Sequence, residues 1–346
     1  MLNPEVRSLY TSILQPPSNM VFDEAIATAF SLDPVFLLQA PVHLALLAAN
    51  DKQAADAFCH FEAIRRYAEH ITIYVQQGRI QVPAKGNPSV LLSLLENMIV
   101  EVNEPNGGVF HPKIWAIRFI DPHDPSEVMY RLAILTRNLT TDASWDLSLQ
   151  LEGWLTGRKR KVNNPLRYLL NQLPAMAAGE MAAHRRDQAE RFADELQRIE
   201  WQCPHGFDEL AFYLPGVKGF GWQPPAAARV AVISPFCSDK ALHHIVKDCG
   251  TKAALISRPE SLQALQPQTR ELFSQNLHLD DAAETRDAQL HSQPECLAAS
   301  GLHAKAYIFE TGWDCELVLG SANATYAALL HGIQPAILDS PKVKKS

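Results

Sequence analysis

The segment FHPKIWAIRF, residues 110–119, and the segment GLHAKAYIFE, residues 301–310, share one pattern of residues. Each places a histidine and a lysine two positions apart, within a run of apolar, β-branched and aromatic residues that predicts a buried strand. In an extended chain the side chains at positions i and i+2 share one face. We therefore expect His111 and Lys113 to project together, and His303 and Lys305 to do the same.

Each pair is followed by a second apolar run that ends in a turn containing an asparagine. In the first copy RLAILTRN ends at Asn138, and in the second ELVLGSAN contains Ser321 and Asn323. The two histidines and the two lysines are separated by the same number of residues, and a turn-rich loop, IDPHDPSEV, lengthens the first copy before its asparagine. The repeated unit predicts a duplicated lobe. An imidazole, an ammonium group and a carboxamide, presented twice, suit the binding and attack of a phosphate diester.

The second copy resembles the phospholipase D superfamily. In that family H-x-K-x4-D and G-S-x-N elements from two lobes meet at one site on a pseudo-twofold axis. Here His303 and Lys305 are followed by Glu310 at the acidic position and then by Gly320-Ser321-Ala322-Asn323. The alternative is two unrelated core strands with surface histidines, and asparagines that serve only as turn residues.

The first copy departs from the family pattern. Arg118 stands where the acid belongs, and Thr136-Arg137-Asn138 replaces G-S-x-N. This departure is similar to the tyrosyl-DNA phosphodiesterase branch and to bacterial phospholipase D-like nucleases. In that branch the acid is dispensable and the asparagine is often followed by Trp, as Asn138 is here by Ser144-Trp145-Asp146.

The resemblance implies an α/β fold of two phospholipase D-like lobes, each a mixed β-sheet flanked by helices, related by pseudo-twofold symmetry. It also implies roles for residues: His111 as the nucleophile and His303 as the acid. The lysines would neutralise the phosphate oxygens, and Asn138 and Asn323 would donate hydrogen bonds to them. Glu310 would orient an imidazole or pair with a lysine, and Ser321 would bond a catalytic side chain. No metal and no cofactor is expected, because the lysines supply positive charge.

The second half of the chain alternates strand and helix patterns, which predicts a sheet flanked by helices. A turn-rich zone near residues 202–227 predicts a first lobe over 1–201 and a second over 202–346. Two further patterns predict a helical region over roughly 5–30 and a helix from GEMAAHRRDQAERFADELQRIEW that crosses between lobes with a solvated face. Little chain follows Asn323, so we expect a truncated C-terminus whose closing strand is the short PAILDS or is missing. An exposed edge there would favour a homodimer.

Composition sets broad limits on the function. The net charge of −7 argues against extended, non-specific wrapping of nucleic acid, although a local basic cleft remains compatible with it. Candidate substrate-binding residues are the run Arg158-Lys159-Arg160-Lys161 and, at the end of a strand, Arg258. The six cysteines form no C-x-x-C pair, which argues against a zinc or disulfide framework. No signal segment or membrane-spanning run is found, so a cytoplasmic location and no membrane insertion are expected.

Three functional hypotheses follow. The first is a metal-independent phosphodiesterase or nuclease that acts on DNA or RNA through a phosphohistidine intermediate. The second is a weak or inactive subunit that binds phosphate or nucleic acid within a helicase or defence complex; the irregular first motif favours it. The third is a phospholipid phosphodiesterase or transferase, for which no amphipathic basic segment provides support.

Overall fold

A computed structural model of the protein describes residues 10–48, 57–81, 90–105, 107–141, 144–280 and 301–329, and the backbone of 338–339 and 342–344. Within this part of the chain, two β-sheets carry the architecture, and helices cover both. The predicted α/β class, with two helix-flanked mixed sheets, is confirmed. The strands of one sheet lie between residues 21 and 201, and those of the other between 212 and 344.

The first sheet contains parallel and antiparallel strands. The strands in this half of the chain are β1 (Val21–Ala29), β2 (Ile71–Gln76), β3 (Ile99–Val102), β4 (Ile114–Ile120), β5 (Val128–Leu135), β6 (Ser144–Trp145), β7 (Ser148–Leu155) and β8 (Ile199–Trp201). Seven of them form the sheet in the order β3-β2-β1-β4-β5-β7-β8. Strands β1, β2 and β3 are parallel, and every pairing from β1–β4 onward is antiparallel.

The second sheet repeats this plan. Its half of the chain contains β9 (Phe212–Tyr213), β10 (Ala227–Ile233), β11 (Cys249–Ile256), β12 (Gln275–Leu277), β13 (Gly301–Leu302), β14 (Ala306–Thr311), β15 (Asp314–Gly320), β16 (Leu338–Asp339) and β17 (Lys342–Lys344). The order is β12-β11-β10-β14-β15-β16-β9, with β17 also paired to β15. Strands β10, β11 and β12 are parallel, and β14 and β15 follow in antiparallel pairs.

The two sheets agree in strand register and also in strand order. Thr28 near the end of β1 pairs with Ile114, three residues after the first motif histidine. Ile233 at the end of β10 pairs with Ala306, three residues after the second motif histidine. Each H-x-K therefore lies at the same end of its sheet, where β1 or β10 finishes and β4 or β14 begins.

The helices fill the connections between strands and pack on the sheets. They are α1 (Pro34–Ala48), α2 (Ala57–Glu69), α3 (Val90–Ser93), α4 (Asn164–Gln172), α5 (Ala183–Leu196), α6 (Asp239–Val246), α7 (Pro259–Ala264), α8 (Pro267–Glu271) and α9 (Tyr326–Leu329). Shorter 3-10 turns occupy Tyr10–Leu14, Glu96–Met98, Lys161–Asn163 and Leu173–Met176.

Two helix predictions are wrong. The region predicted as helical over roughly 5–30 contains a 3-10 turn and then the central strand β1, because pairing on both sides with β2 and β4 overrides the helical preference of its alanines. Helix α5 does not cross between lobes. It packs on the first sheet, where its buried Arg185 donates to the carbonyl of Ile71 at 2.9 Å and to Thr72 at 2.9 Å.

One hydrophobic cluster joins the two lobes. It packs β4, β5, α4 and α5 of the first lobe against Phe212, Leu214 and Leu319 from the second. A separate cluster fills the opposite face of the first sheet beneath α1, and a third lies between the second sheet and α6. The edge of β15 is paired with the short strands β16 and β17, of which β16 falls in the predicted PAILDS segment. The lobe boundary at 201/202 and the homodimer stay predictions.

Candidate phosphodiester site

The first H-x-K lies in the extended segment that leads into β4. Pro112 separates the two residues, and the Lys113 ammonium lies 2.8 Å from Nε2 and 3.1 Å from Nδ1 of His111. The same Nζ donates to the carbonyl of His111 at 3.3 Å. The two side chains therefore share a face, as their spacing predicts.

The second H-x-K connects β13 to β14 in the same manner. Lys305 Nζ donates to the carbonyl of His303 at 2.7 Å and lies 3.4 Å from Nδ1 of its imidazole. Both motif lysines are only 1% exposed. Each lysine is thus folded back on the histidine that precedes it, deep at the end of its sheet.

Contacts between the lobes bring the two motifs together. Strand β13 pairs in parallel with β6, and the backbone N–H groups of His303 and Ala304 both donate to the carbonyl of Trp145, at 2.7 and 2.9 Å. Lys305 Nζ donates to the carbonyl of Thr136 at 3.1 Å. In the opposite direction, the backbone of Ser321 lies close enough to the imidazole of His111 to raise its pKa, against the lowering by burial and the lysines. In each lobe, a motif side chain therefore lies close to the turn after β5 or β15 of the other lobe.

Among the residues that the structure describes, Oδ1 of Asn138, Oδ1 of Asn323 and Oγ of Ser321 are buried without a hydrogen-bond partner, and all three follow the strands β5 and β15. Buried polar groups are otherwise satisfied in folded proteins, so such atoms are suited to a bound molecule. Because the two ends of an amide are interchanged by a flip, each asparagine can present an N–H donor here. Thr136, which replaces the Gly-Ser of the family pattern, instead bonds the backbone of Leu147 through its hydroxyl.

The electrostatics of the site disfavour further positive charge. Burial, followed by the charges of Lys113 and Lys305, holds the pKa of His111 well below its usual range. Burial and the same two lysines lower the pKa of His303 to about 2. Burial and then Lys305 also lower the pKa of the Lys113 ammonium. An anion bound between the lysines would relieve this repulsion and raise the pKa of both histidines.

Among the candidate substrate-binding residues, Arg258 reaches the site. It follows β11 and donates from Nε to the carbonyl of Leu302 at 2.9 Å, and its charge contributes to the lowered pKa of His303. Its guanidinium carbon lies 5.2 Å from the ring centre of Phe236.

The basic run Arg158-Lys159-Arg160-Lys161 lies away from the two motifs, so its predicted role in substrate binding stays a prediction. Strand β7 begins beside the site, where Ser148 pairs with Leu135, and runs away from it. The basic run follows the far end of β7, roughly 25 Å along the strand. There Arg160 pairs with Glu200 at 2.5 Å. Strand direction, which sequence spacing does not show, decides this separation.

The acidic position of H-x-K-x4-D is also remote from the histidines. Glu310 lies toward the far end of β14 and contacts Arg229 on β10 at 3.3 Å. The expected contact of Glu310 with a motif imidazole or lysine is therefore wrong. In the first lobe the charges are exchanged, because Arg118 on β4 contacts Asp23 on β1 at 2.5 Å and Glu195 on α5 at 2.9 Å. At this position a salt bridge joins neighbouring elements in both lobes, with an arginine on β4 and a glutamate on β14.

Sequence reasoning missed two aromatic residues beside the motifs. The ring of Phe30 lies 5.4 Å from that of His111, with the guanidinium of Arg79 at 5.0 Å from its centre. Phe236 occupies the corresponding loop after β10 and is 44% exposed. The only sequence signal was their position directly after an apolar strand, which many core phenylalanines share.

Comparison with solved structures finds similar proteins at low sequence identity. Yeast tyrosyl-DNA phosphodiesterase is similar to this chain at 12% sequence identity and a TM-score of 0.49, covering 96% of this chain and 84% of the yeast protein. A histidine mutant of the same yeast enzyme gives 11% identity and a TM-score of 0.47, covering 92% of this chain and 82% of that one. No protein-family profile and no curated protein sequence matches the chain.

Two further observations concern the part of the chain that the structure describes. The described residues contain no cluster of three or more His, Cys, Asp or Glu side chains of the kind that holds a metal ion. Within the same residues, no helix has the length and apolar character needed to cross a membrane.

Proposed function

We propose that this protein is a phosphodiesterase of the phospholipase D type, which cleaves nucleic acid through a phosphohistidine intermediate. The observation that carries the proposal is the meeting of two H-x-K motifs from separate sheets, through the hydrogen bond from Lys305 to Thr136 and the pairing of β13 with β6. A phosphodiester is an anion, and its charge would offset the repulsion between these two buried lysines.

The first chemical step forms a bond between His111 and phosphorus. The neutral imidazole, favoured by its lowered pKa, attacks the diester, and the ester bond to the leaving oxygen breaks. Protonated His303 donates its proton to that oxygen; the bound phosphate raises the pKa of His303 enough for it to hold the proton. Lys113 and Lys305 balance the charge on the non-bridging oxygens, and Asn138 and Asn323 donate hydrogen bonds to them.

The second step releases the product. His303, now neutral, accepts a proton from water, and the resulting hydroxide equivalent attacks phosphorus as the bond to His111 breaks. A phosphate monoester leaves, and both histidines return to their starting protonation states. Placing one histidine on each lobe gives the nucleophile and the acid opposite sides of the phosphate, which an in-line displacement requires.

Covalent trapping tests the proposal. The full-length protein is incubated with a single-stranded oligonucleotide carrying radioactive phosphate, denatured, and separated by electrophoresis. We expect a labelled protein band that is stable in base and labile in acid, as a phosphohistidine is, and that persists in EDTA. The absence of any adduct and of cleavage, or cleavage that EDTA abolishes and magnesium restores, would contradict the mechanism.

The control for trapping is a histidine outside the site. His244 lies on α6, well away from both motifs along the chain, and His244→Ala should form the adduct at the wild-type rate. Labelling that survives His111→Ala but is lost in His303→Ala would reverse the assigned roles while preserving the reaction.

A further inference from the structure

Phe236 is an apolar side chain held exposed at the edge of the candidate site. Its ring is 44% exposed, although it follows the buried strand β10. Single exposed rings are common on protein surfaces, so the significance of this one depends on its neighbours.

The loop that carries this ring is fixed by side-chain hydrogen bonds. Ser234 Oγ donates to the carbonyl of Phe236 at 2.7 Å, and Ser257 and Ser261 donate to the carbonyl of Pro235 at 3.3 and 3.0 Å. Ser234 Oγ in turn accepts from the N–H of Ala324, the residue after Asn323. The exposed ring is therefore tied to the turn that carries the second asparagine.

Arg258 links the ring to His303. Its guanidinium carbon lies 5.2 Å from the centre of the Phe236 ring, within the range of a cation–π contact. Its Nε donates to Leu302, the residue immediately before His303. The first lobe has a similar pair, since Arg79 lies 5.0 Å from the centre of Phe30, which packs beside His111. An aromatic ring with an arginine thus borders the junction on each side.

We infer that Phe236 and Arg258 form a stacking platform for the nucleobase on the leaving side of the scissile phosphate. This inference rests on the proposed function. In an in-line displacement by His111, the leaving oxygen departs away from that residue, toward the second lobe and His303. In a nucleic acid, the leaving oxygen belongs to a sugar that also carries a base. A flat ring with an adjacent guanidinium is the surface on which unpaired bases stack.

The platform favours single-stranded nucleic acid over a lipid. An acyl chain needs an apolar groove, whereas this ring is bordered by a cation and by serine hydroxyls. Stacking on one ring also requires a base whose face is free of a pairing partner, which a single strand supplies. The substrate class is therefore an unpaired strand with a base on the leaving nucleotide.

The test compares two substrates and three variants of the full-length protein. The substrates are a short single-stranded oligothymidylate and the same backbone made of abasic tetrahydrofuran nucleotides. Phe236→Ala should lower kcat/KM for oligothymidylate by about 5- to 100-fold, the range expected for loss of one base–aromatic stack. Phe236→Trp should restore it. On the abasic strand Phe236→Ala should change kcat/KM by less than about two-fold.

Trp313 provides a matched control. It is 83% exposed at the turn between β14 and β15, at the end of the second sheet opposite to the site. Trp313→Ala should leave kcat/KM unchanged on both substrates. Equal losses in Phe236→Ala on the base-bearing and abasic strands would overturn the inference, because the ring would then act without a base. A loss confined to a phosphodiester with an aromatic, non-nucleotide leaving group would overturn it as well.

A binding measurement separates this inference from the proposed function. A single strand containing 2-aminopurine loses fluorescence when its base stacks. Quenching by the wild-type protein and its loss in Phe236→Ala would support the platform even if no phospho-adduct formed on any diester. Cleavage together with unchanged quenching in Phe236→Ala would overturn the platform and retain the phosphodiesterase. If neither quenching nor cleavage occurred, the platform would be overturned along with the proposed reaction.

Discussion

At the scale of single residues, the site combines histidines that resist protonation with lysines that are almost fully buried. The two imidazoles have lowered pKa values for the same reasons, burial and the neighbouring lysines. Their proposed roles nevertheless differ, because one must attack phosphorus and the other must hold a proton. A bound phosphate supplies the negative charge that allows one of them to hold a proton.

Substitution of each histidine should separate these roles. His111→Ala should abolish turnover and covalent labelling, because no nucleophile remains. His303→Ala should slow turnover by about 100-fold or more, since the acid of the first step and the base of the second are lost together. It should still accumulate the covalent adduct over minutes to hours. Single-turnover labelling with a radioactive diester measures both, and full turnover in His111→Ala would contradict the assignment.

The same histidines should make the protein less stable in mild acid. Their folded-state pKa values lie below the value near 6.5 of the unfolded chain, so below that pH the unfolded state binds protons that the folded state does not. The stabilisation is complete above about pH 7 and is lost as the pH falls toward 5, by roughly 1–2 kcal/mol for each histidine. Urea unfolding at the two pH values measures the loss.

The control for this pH dependence is the variant with both histidines changed, His111→Asn with His303→Asn. Its free energy of unfolding should fall less steeply between pH 7 and pH 5 than that of the wild type. Identical slopes would show that other groups cause the acid sensitivity.

At the scale of secondary structure elements, both sheets have an ion pair at the corresponding strand position, with the charges exchanged. Arg118 on β4 pairs with acids on β1 and α5, whereas Glu310 on β14 pairs with Arg229 on β10. The two sites differ in depth. The Arg118 side chain is 14% exposed, and that of Glu310 is 46% exposed.

This difference predicts unequal effects of removing the charges. Arg118→Ala should lower the free energy of unfolding by about 3 kcal/mol, because it leaves Glu195 and Asp23 without their cation in a mostly buried site. Glu310→Ala should cost less than about 1 kcal/mol, since an exposed pair contributes little. Urea denaturation measures both. Glu310→Ala should also keep its phosphodiesterase rate, and a 100-fold loss would place that carboxylate in the reaction after all.

At the scale of the whole molecule, the shared hydrophobic cluster ties the lobes into one cooperative structure. Leu319 of β15 packs in the same cluster as Leu169 of α4, although the two residues belong to opposite lobes. Because the site is formed from both lobes, this cluster also fixes the separation of the two H-x-K motifs.

The protein should therefore unfold in a single transition. Far-UV circular dichroism and tryptophan fluorescence should give the same urea midpoint. Leu319→Ala and Leu169→Ala should each lower that midpoint for both probes, by an amount corresponding to about 2–5 kcal/mol. Two separate transitions, with Leu319→Ala shifting only one of them, would show that the lobes unfold independently.

The sequence by itself predicted the duplicated lobe and the histidines, lysines and asparagines proposed for the site. His-x-Lys, an apolar run and a closing asparagine are local patterns. In an extended chain, the histidine and the lysine of each motif lie on one face whatever the tertiary structure. The sequence could not show that β1, with its alanines, is a central strand, because strand pairing and not local preference decides it.

Only the tertiary structure decided which residues meet. The direction of β7 carries the basic run away from the site, and the length of β14 carries Glu310 away, whereas the end of β11 brings Arg258 to His303. The loop after β10 likewise brings Phe236 beside Arg258. The physical reason is that spacing along a chain fixes which face a side chain takes, while the direction and pairing of strands fix which of their ends come together.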